Sequence, residues 1–182
     1  MAVPDRPAPR RRGGSLAALA SLLLAAPFLQ GNLGHTNVEE RLLAAHNRER
    51  ASLGIPPLRW DEGLARDAAV WAQEQVRLGR LEHYPDDPGD PDPQGENLWA
   101  GTKGYYGIEA MVGLWIDEKR NFRPGAFPHN ARNGVLNDIG HYTQLMWRTT
   151  GTVGCAVARG RHDDFLVCRY LEGGNVMGEV PF

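Results

Sequence analysis

Apolar residues fall at helical spacing through the first half of the chain and at strand spacing in its last quarter. Thr36-Asn37-Val38-Glu39 has the side-chain pattern of a capping box, in which a hydroxyl and a carboxylate satisfy free amides at a helix start, so a helix is predicted over about 37–53. Gly54 and Pro56-Pro57 end it, because Pro cannot continue the hydrogen-bond ladder. Asp61 caps a second helix whose apolar positions Leu64, Ala68, Trp71 and Leu78 recur at helical spacing, and Gly79 closes it. A third helix is predicted over about 106–121 and a short fourth over about 139–148. After Gly151 the period becomes two: residues 153–158 and 165–170 flank a polar turn at 160–164, which predicts a hairpin. Both faces of these strands carry apolar or small residues, so the sheet needs helices on both sides.

The first 34 residues break this pattern. Arg6, Arg10, Arg11 and Arg12 precede a 14-position, largely apolar run at 16–29, the order of an export signal and short of the roughly 20 apolar residues that span a bilayer as a helix. The chain therefore reads as an export leader (1–34) and one domain (35–182), extracytoplasmic and without a permanent membrane span. The leader holds four Arg and one Asp of the chain's 20 basic and 22 acidic residues, which leaves the domain 16 and 21, a formal charge of −5. Such a balance offers no basic track for a phosphate backbone and argues against nucleic acid as a partner. The run at 84–94 holds four Pro and four Asp; it lacks the Gly turn and distal bidentate Glu of a calcium loop and reads as a solvated acidic loop.

Cys155 and Cys168 read as a disulfide in an oxidising compartment. A hairpin symmetric about residues 161 and 162 sets them opposite each other, whereas a slip of one residue turns their side chains to opposite faces. In the third helix Met111, Trp115 and Phe122 form an apolar stripe, and Glu118 falls inside it. A carboxylate on a buried stripe needs a partner. His141 opens the fourth helix, His83 ends the segment after the second, and Glu96 lies in Gly95-Glu96-Asn97-Leu98-Trp99. On residue type alone each of these is an ordinary satisfied or solvated side chain.

Longer motifs change that reading. Gly140-His141-Tyr142-Thr143-Gln144-Leu145-Met146-Trp147 matches the first signature of the CAP superfamily (cysteine-rich secretory proteins, antigen 5, pathogenesis-related class 1 proteins), and Val167-Cys168-Arg169-Tyr170-Leu171-Glu172-Gly173-Gly174-Asn175 resembles the second, with Glu172 as a departure. The match extends to His46-Asn47 with Arg50, Gly95-Glu96-Asn97-Leu98, Trp115-x-x-Glu118, Phe127-Pro128 and the terminal Gly178-Glu179-Val180-Pro181-Phe182. The resemblance implies an α+β fold, an α-β-α sandwich with a three-stranded antiparallel sheet between helical layers. It also implies that His83, Glu96, Glu118 and His141 form a tetrad across a cleft.

Two imidazoles there would hold a divalent metal such as zinc, with the carboxylates as ligands or orienting the second ring nitrogens. Asn97, Tyr142, Thr143 and Gln144 either line that cleft or hydrogen-bond loops inside the domain; the five Trp read as core aromatics. The resemblance further implies a secreted binding module for a metal and a sterol or other lipid, and the Ala/Leu-rich leader and few Cys fit a bacterial member. The alternative is a metal-dependent hydrolase using the same tetrad. Because Ser52 is the only Ser after residue 34 and both Cys are read as oxidised, that enzyme would need metal-activated water rather than a Ser or Cys nucleophile.

Overall fold

The computed structural model describes residues 37–85, 89 and 93–182. The predicted leader, and positions 86–88 and 90–92 of the Pro/Asp loop, lie outside the described residues. Helix α1 (Val38–Ser52) is capped one residue later than the capping-box reading places it: Asn37 Oδ1 accepts from the Glu40 N–H at 2.9 Å. The frame shift keeps a Glu at the third helical position, and Asn caps at least as well as Thr. Helix α1 buries Leu42, Ala45, His46 and Arg50.

A two-residue strand, β1 (Arg59–Trp60), leads into α2 (Glu62–Leu78). Asp61 joins the two: its carboxylate accepts from the Gly63 and Leu64 N–H groups at 2.8 and 2.9 Å, while its own N–H donates to Val153 O at 3.0 Å. Gly79 ends α2 in the left-handed conformation, φ 66°. Strand β2 (Gly95–Thr102) follows, then α3 (Ile108–Asp117), a 3-10 turn (Glu118–Arg120), a second 3-10 turn (Leu136–Asp138), α4 (Gly140–Met146), β3 (Thr152–Arg159) and β4 (Asp163–Leu171). The third and fourth helices are shorter than the sequence pattern predicts because each hands its end turn to 3-10 geometry or loop.

Among the described residues the sheet has four strands in the order β1-β3-β4-β2, one more than the three the resemblance implies. Strands β2, β4 and β3 are antiparallel, as the resemblance implies, and β1 adds a short parallel edge on β3. The hairpin register pairs Cys155 with Cys168, and the two are joined by a disulfide closing a 13-residue separation. One sheet face carries Leu98, Ala158 and Val167 against Ala68 and Ala72 of α2. The other carries Cys155, Leu166, Cys168 and Tyr170 against α1, α3 and α4, through Leu42, Met111, Val112, Trp115, Leu145 and Met146. These are the three layers of an α-β-α sandwich. Helix α2 lies so close to β3 that a Cβ on Gly154 would stand 2.2 Å from Ala65 N and 2.5 Å from Asp61 O. Trp99, Trp115 and Trp147 are buried core aromatics, whereas Trp60 and Trp71 are half-buried at the rim of the layers.

Candidate functional site: a cleft built on two imidazole–carboxylate pairs

His83 sits on the segment that turns back along α2 after Gly79. Gln75 fixes that segment by donating Nε2–H to Glu82 O (2.6 Å) and accepting the Glu82 N–H (2.8 Å), and Trp71 Nε1 donates to the same carbonyl at 2.9 Å. Glu96 is the second residue of β2, its side chain 7% exposed. His141 is the second residue of α4 and Glu118 the first of the 3-10 turn after α3.

The four side chains form two pairs with one design. His83 Nδ1 lies 2.6 Å from Glu96 Oε1, and His141 Nδ1 lies 2.6 Å from Glu118 Oε1. In each case the Tyr following the His donates its backbone N–H to the same carboxylate: Tyr84 to Glu96 at 3.1 Å and Tyr142 to Glu118 at 3.0 Å. An ionised carboxylate only accepts, so each ring carries a proton on Nδ1 and turns Nε2 to the opposite side. The Trp115 ring stacks on His141, centroids 5.9 Å apart and 16° from parallel.

His83, Glu96, Asn97 and His141 share one cleft of about 410 Å³, together with Phe127, Leu136, Asn137, Gly140 and Asn175. Glu118 stands behind His141 and does not reach the cleft lining. Of the other residues read as cleft-lining, Asn97 is in the wall and donates to His141 O at 3.0 Å. Tyr142, Thr143 and Gln144 are instead buried behind it, because α4 presents these positions to the core and to the C-terminal segment. Tyr142 packs on Phe122 and Phe182, and burial pushes its hydroxyl up to about 12. Thr143 Oγ1 donates to Asn175 Oδ1 at 2.6 Å, and Gln144 Oε1 accepts from Gly174 N at 2.9 Å.

The model of the cysteine-rich secretory protein family matches residues 43–170, which spans both pairs, every helix and all four strands apart from termini. The chain belongs to the cysteine-rich secretory protein family. Among its relatives, pathogenesis-related protein 1 of Arabidopsis thaliana is 36% identical over 139 residues, covering 76% of this chain and 78% of the relative. Pathogenesis-related protein 1B of Nicotiana tabacum is 31% identical over 166 residues, 90% and 92% of the two chains. The solved structure of BmVAL-1 has a TM-score of 0.66 at 19% identity, covering 84% of this chain and 85% of that one. A crystal structure of NaASP2 with Zn2+ gives 0.65 at 19% identity, 83% and 88%. At these identities the structures speak to the fold alone.

Two further residues bear on the site of this family member, and motif reading left both without a role. Asn175, held at φ 59°, lines the cleft and donates Nδ2–H to Gly140 O at 2.9 Å, tying down the residue before His141. Arg169 lies directly across the sheet from Glu96, with Nη2 3.1 Å from Glu96 Oε2. The available signal is a lone charge within the run 165–171, which is otherwise apolar on both faces. Among the described residues, the set of three His, Cys, Asp or Glu whose donor atoms all lie within 4.8 Å is His46, Cys155 and Cys168. That set offers no metal cage: the sulfurs are bonded to each other, and His46 spends its nitrogens on Leu42 O and the Tyr170 hydroxyl, both at 2.8 Å.

Proposed function

We propose that this chain is an exported binding module of its family, whose cleft holds a divalent ion such as zinc weakly on Nε2 of His83 and His141, with water completing the coordination. The observation that carries this reading is the twin use of Nδ1: each imidazole donates its Nδ1–H to a carboxylate in a hydrogen bond, the arrangement that fixes the tautomer and orientation of a metal-ligating ring. A site that draws only two imidazole nitrogens from the protein is a weak one, since a structural zinc site takes four protein ligands. The crystal structure of NaASP2 with Zn2+, a protein of the same fold, is consistent with it.

The same cleft suits a small apolar ligand beside the ion, of the sterol or lipid class. Phe127 and Leu136 contribute apolar wall, the volume lies in the range of small-molecule pockets, and the sequence neighbours Val135, Val176 and Met177 are exposed. Export is supported by the disulfide, which persists in oxidising compartments, and by the basic-then-apolar first 34 residues. No helix among the described residues is long and apolar enough to cross a membrane. The hydrolase alternative gains nothing specific: among the described residues the cleft lining holds no Ser, Thr or Cys, so it would depend on metal-activated water.

Calorimetric titration of the metal-free protein with zinc at neutral pH tests the reading. Saturable 1:1 binding that is lost in His83→Ala and in His141→Ala is expected. Equal affinity in the wild type and both variants, or no binding to the wild type, overturns it and leaves the two pairs as structural hydrogen bonds.

A further inference from the structure

The two halves of the cleft are built alike but supported differently. His141 is 32% exposed and rests on the Trp115 ring; Glu118, its acceptor, takes the Tyr142 N–H on its second oxygen, and the neighbouring Lys119 is directed to Glu49 at 3.3 Å. The His83 side chain is 68% exposed, so packing constrains it less. Its acceptor, Glu96, has both neighbours on one oxygen, His83 Nδ1 and Tyr84 N on Oε1, and turns Oε2 inward.

What meets Oε2 is Arg169. The two side chains are each 7% exposed and face one another across the β2–β4 register, Nη2 to Oε2 3.1 Å, an ion-pair contact whose geometry falls short of a hydrogen bond. The guanidinium also lies 4.6 Å from the centre of the Tyr84 ring, which packs edge-on against Trp71 at 5.0 Å. Arg169 thus touches both the carboxylate and the residue whose N–H shares it. A carboxylate this buried needs a cation or a full set of donors, and Arg169 is the cation it has.

We propose that Arg169 is the positioning residue of the His83 half of the cleft. It pins Glu96 so that Oε1 is aimed at His83 Nδ1, which sets the ring's tautomer and its Nε2 direction; it touches no ligand itself. This rests on the reading of His83 as a cleft ligand for its functional consequence, but its structural content does not. The planar fork matters as well as the charge, because the guanidinium faces the carboxylate and the Tyr84 ring together.

The test is a nitrogen-15 spectrum of the imidazoles in the metal-free, disulfide-intact protein, with zinc titration as a second readout. Wild type should show His83 and His141 each with the proton on Nδ1. Arg169→Met should leave His141 unchanged while His83 moves to an averaged mixture of tautomers, and zinc affinity should fall about tenfold, the lower end for removing an orienting partner. Arg169→Lys should restore part of both.

Because Arg169→Met leaves Glu96 buried without its cation, the cycle includes Glu96→Ala and Glu96→Ala/Arg169→Met, in which no orphan carboxylate remains. If Arg169 acts through Glu96, the double variant matches Glu96→Ala in both readouts. A folded Arg169→Met with the wild-type His83 signal, or an additive loss in the double variant, overturns the proposal. Absence of zinc binding in the wild type sinks the functional reading above while the tautomer signal still decides the role of Arg169.

Discussion

The Nε2 atom of His46 accepts the hydroxyl proton of Tyr170 at 2.8 Å, deep between α1 and the sheet. Nδ1 faces the Leu42 carbonyl, which can only accept, so the ring carries its proton there and is neutral. Burial is the main reason its pKa is lowered to about 4, with the nearby Arg50 charge acting in the same direction against the Leu42 bond. The Tyr170 oxygen in turn accepts from Asn97 Nδ2 at 3.2 Å, and Asn97 reaches the His141 carbonyl, so this buried chain ends at the cleft wall.

A pH dependence of stability follows. Above about 6.5 His46 is neutral in both folded and unfolded chains and its contribution is complete. Between about 6.5 and 4 the unfolded chain takes up a proton that the folded one refuses, so stability falls as pH falls, by roughly 3 kcal/mol in all; below 4 this group adds nothing further. Urea unfolding at pH 7 and at pH 4.5 should show a smaller acid loss in His46→Gln than in wild type. Identical losses would mean that the carboxylates alone set the acid limit.

Legibility in the sequence tracks how local each feature is. Asp61 and Gly79 bracket α2 within 18 positions, and the hairpin's symmetry sets Cys155 against Cys168, so both were readable from neighbouring residues. Strand β1 was not: Arg59 and Trp60 are too short for any periodicity, and their partners Thr152 and Val153 lie in a distant segment. The resemblance names His83, Glu96, Glu118 and His141, but which His takes which Glu is a tertiary fact. Arg169 was hidden because its meaning depends on the β2–β4 register that brings Glu96 opposite it. For Tyr142, Thr143 and Gln144 the sequence leaves cleft and interior both open, because the choice depends on the packing of Phe122 and Phe182 on Tyr142 and on the Gly174–Asn175 segment that meets Thr143 and Gln144.

Arg50 gives a second prediction. It is buried and, among the described residues, serves four carbonyls: Nε donates to Pro56 O, Nη1 to Leu145 O and Trp147 O, and Nη2 to Thr150 O, at 2.8 to 3.0 Å. It therefore binds the end of α1 to the end of α4 and the turn before β3, and desolvation lowers its pKa to about 10. Arg50→Lys keeps the charge but cannot span the four acceptors, which leaves buried carbonyls unsatisfied. A loss of about 3 kcal/mol in urea unfolding is expected, and a change under 1 kcal/mol would show that water replaces the fork without cost.

Asn175 separates backbone strain from side-chain ties in one position. Its φ of 59° is a conformation in which most side chains crowd the following carbonyl, a penalty of about 1 kcal/mol that Gly does not carry. Its side chain meanwhile accepts from Thr143 Oγ1 at 2.6 Å and donates to Gly140 O at 2.9 Å, clamping the start of α4 where His141 emerges. Asn175→Gly removes the ties and relieves the strain; Asn175→Ala removes the ties and keeps the strain. Each lost tie is worth about 1 kcal/mol and relieving the strain returns about 1 kcal/mol, so Asn175→Gly should lose about 1 kcal/mol and Asn175→Ala about 2 kcal/mol in chemical unfolding, with the imidazole signal of His141 broadened in both. Equal stability of the two variants would mean that the loop relaxes out of the left-handed region once the side chain is gone, and an unbroadened His141 signal would mean that Glu118 and Trp115 hold the ring without help from the C-terminal segment.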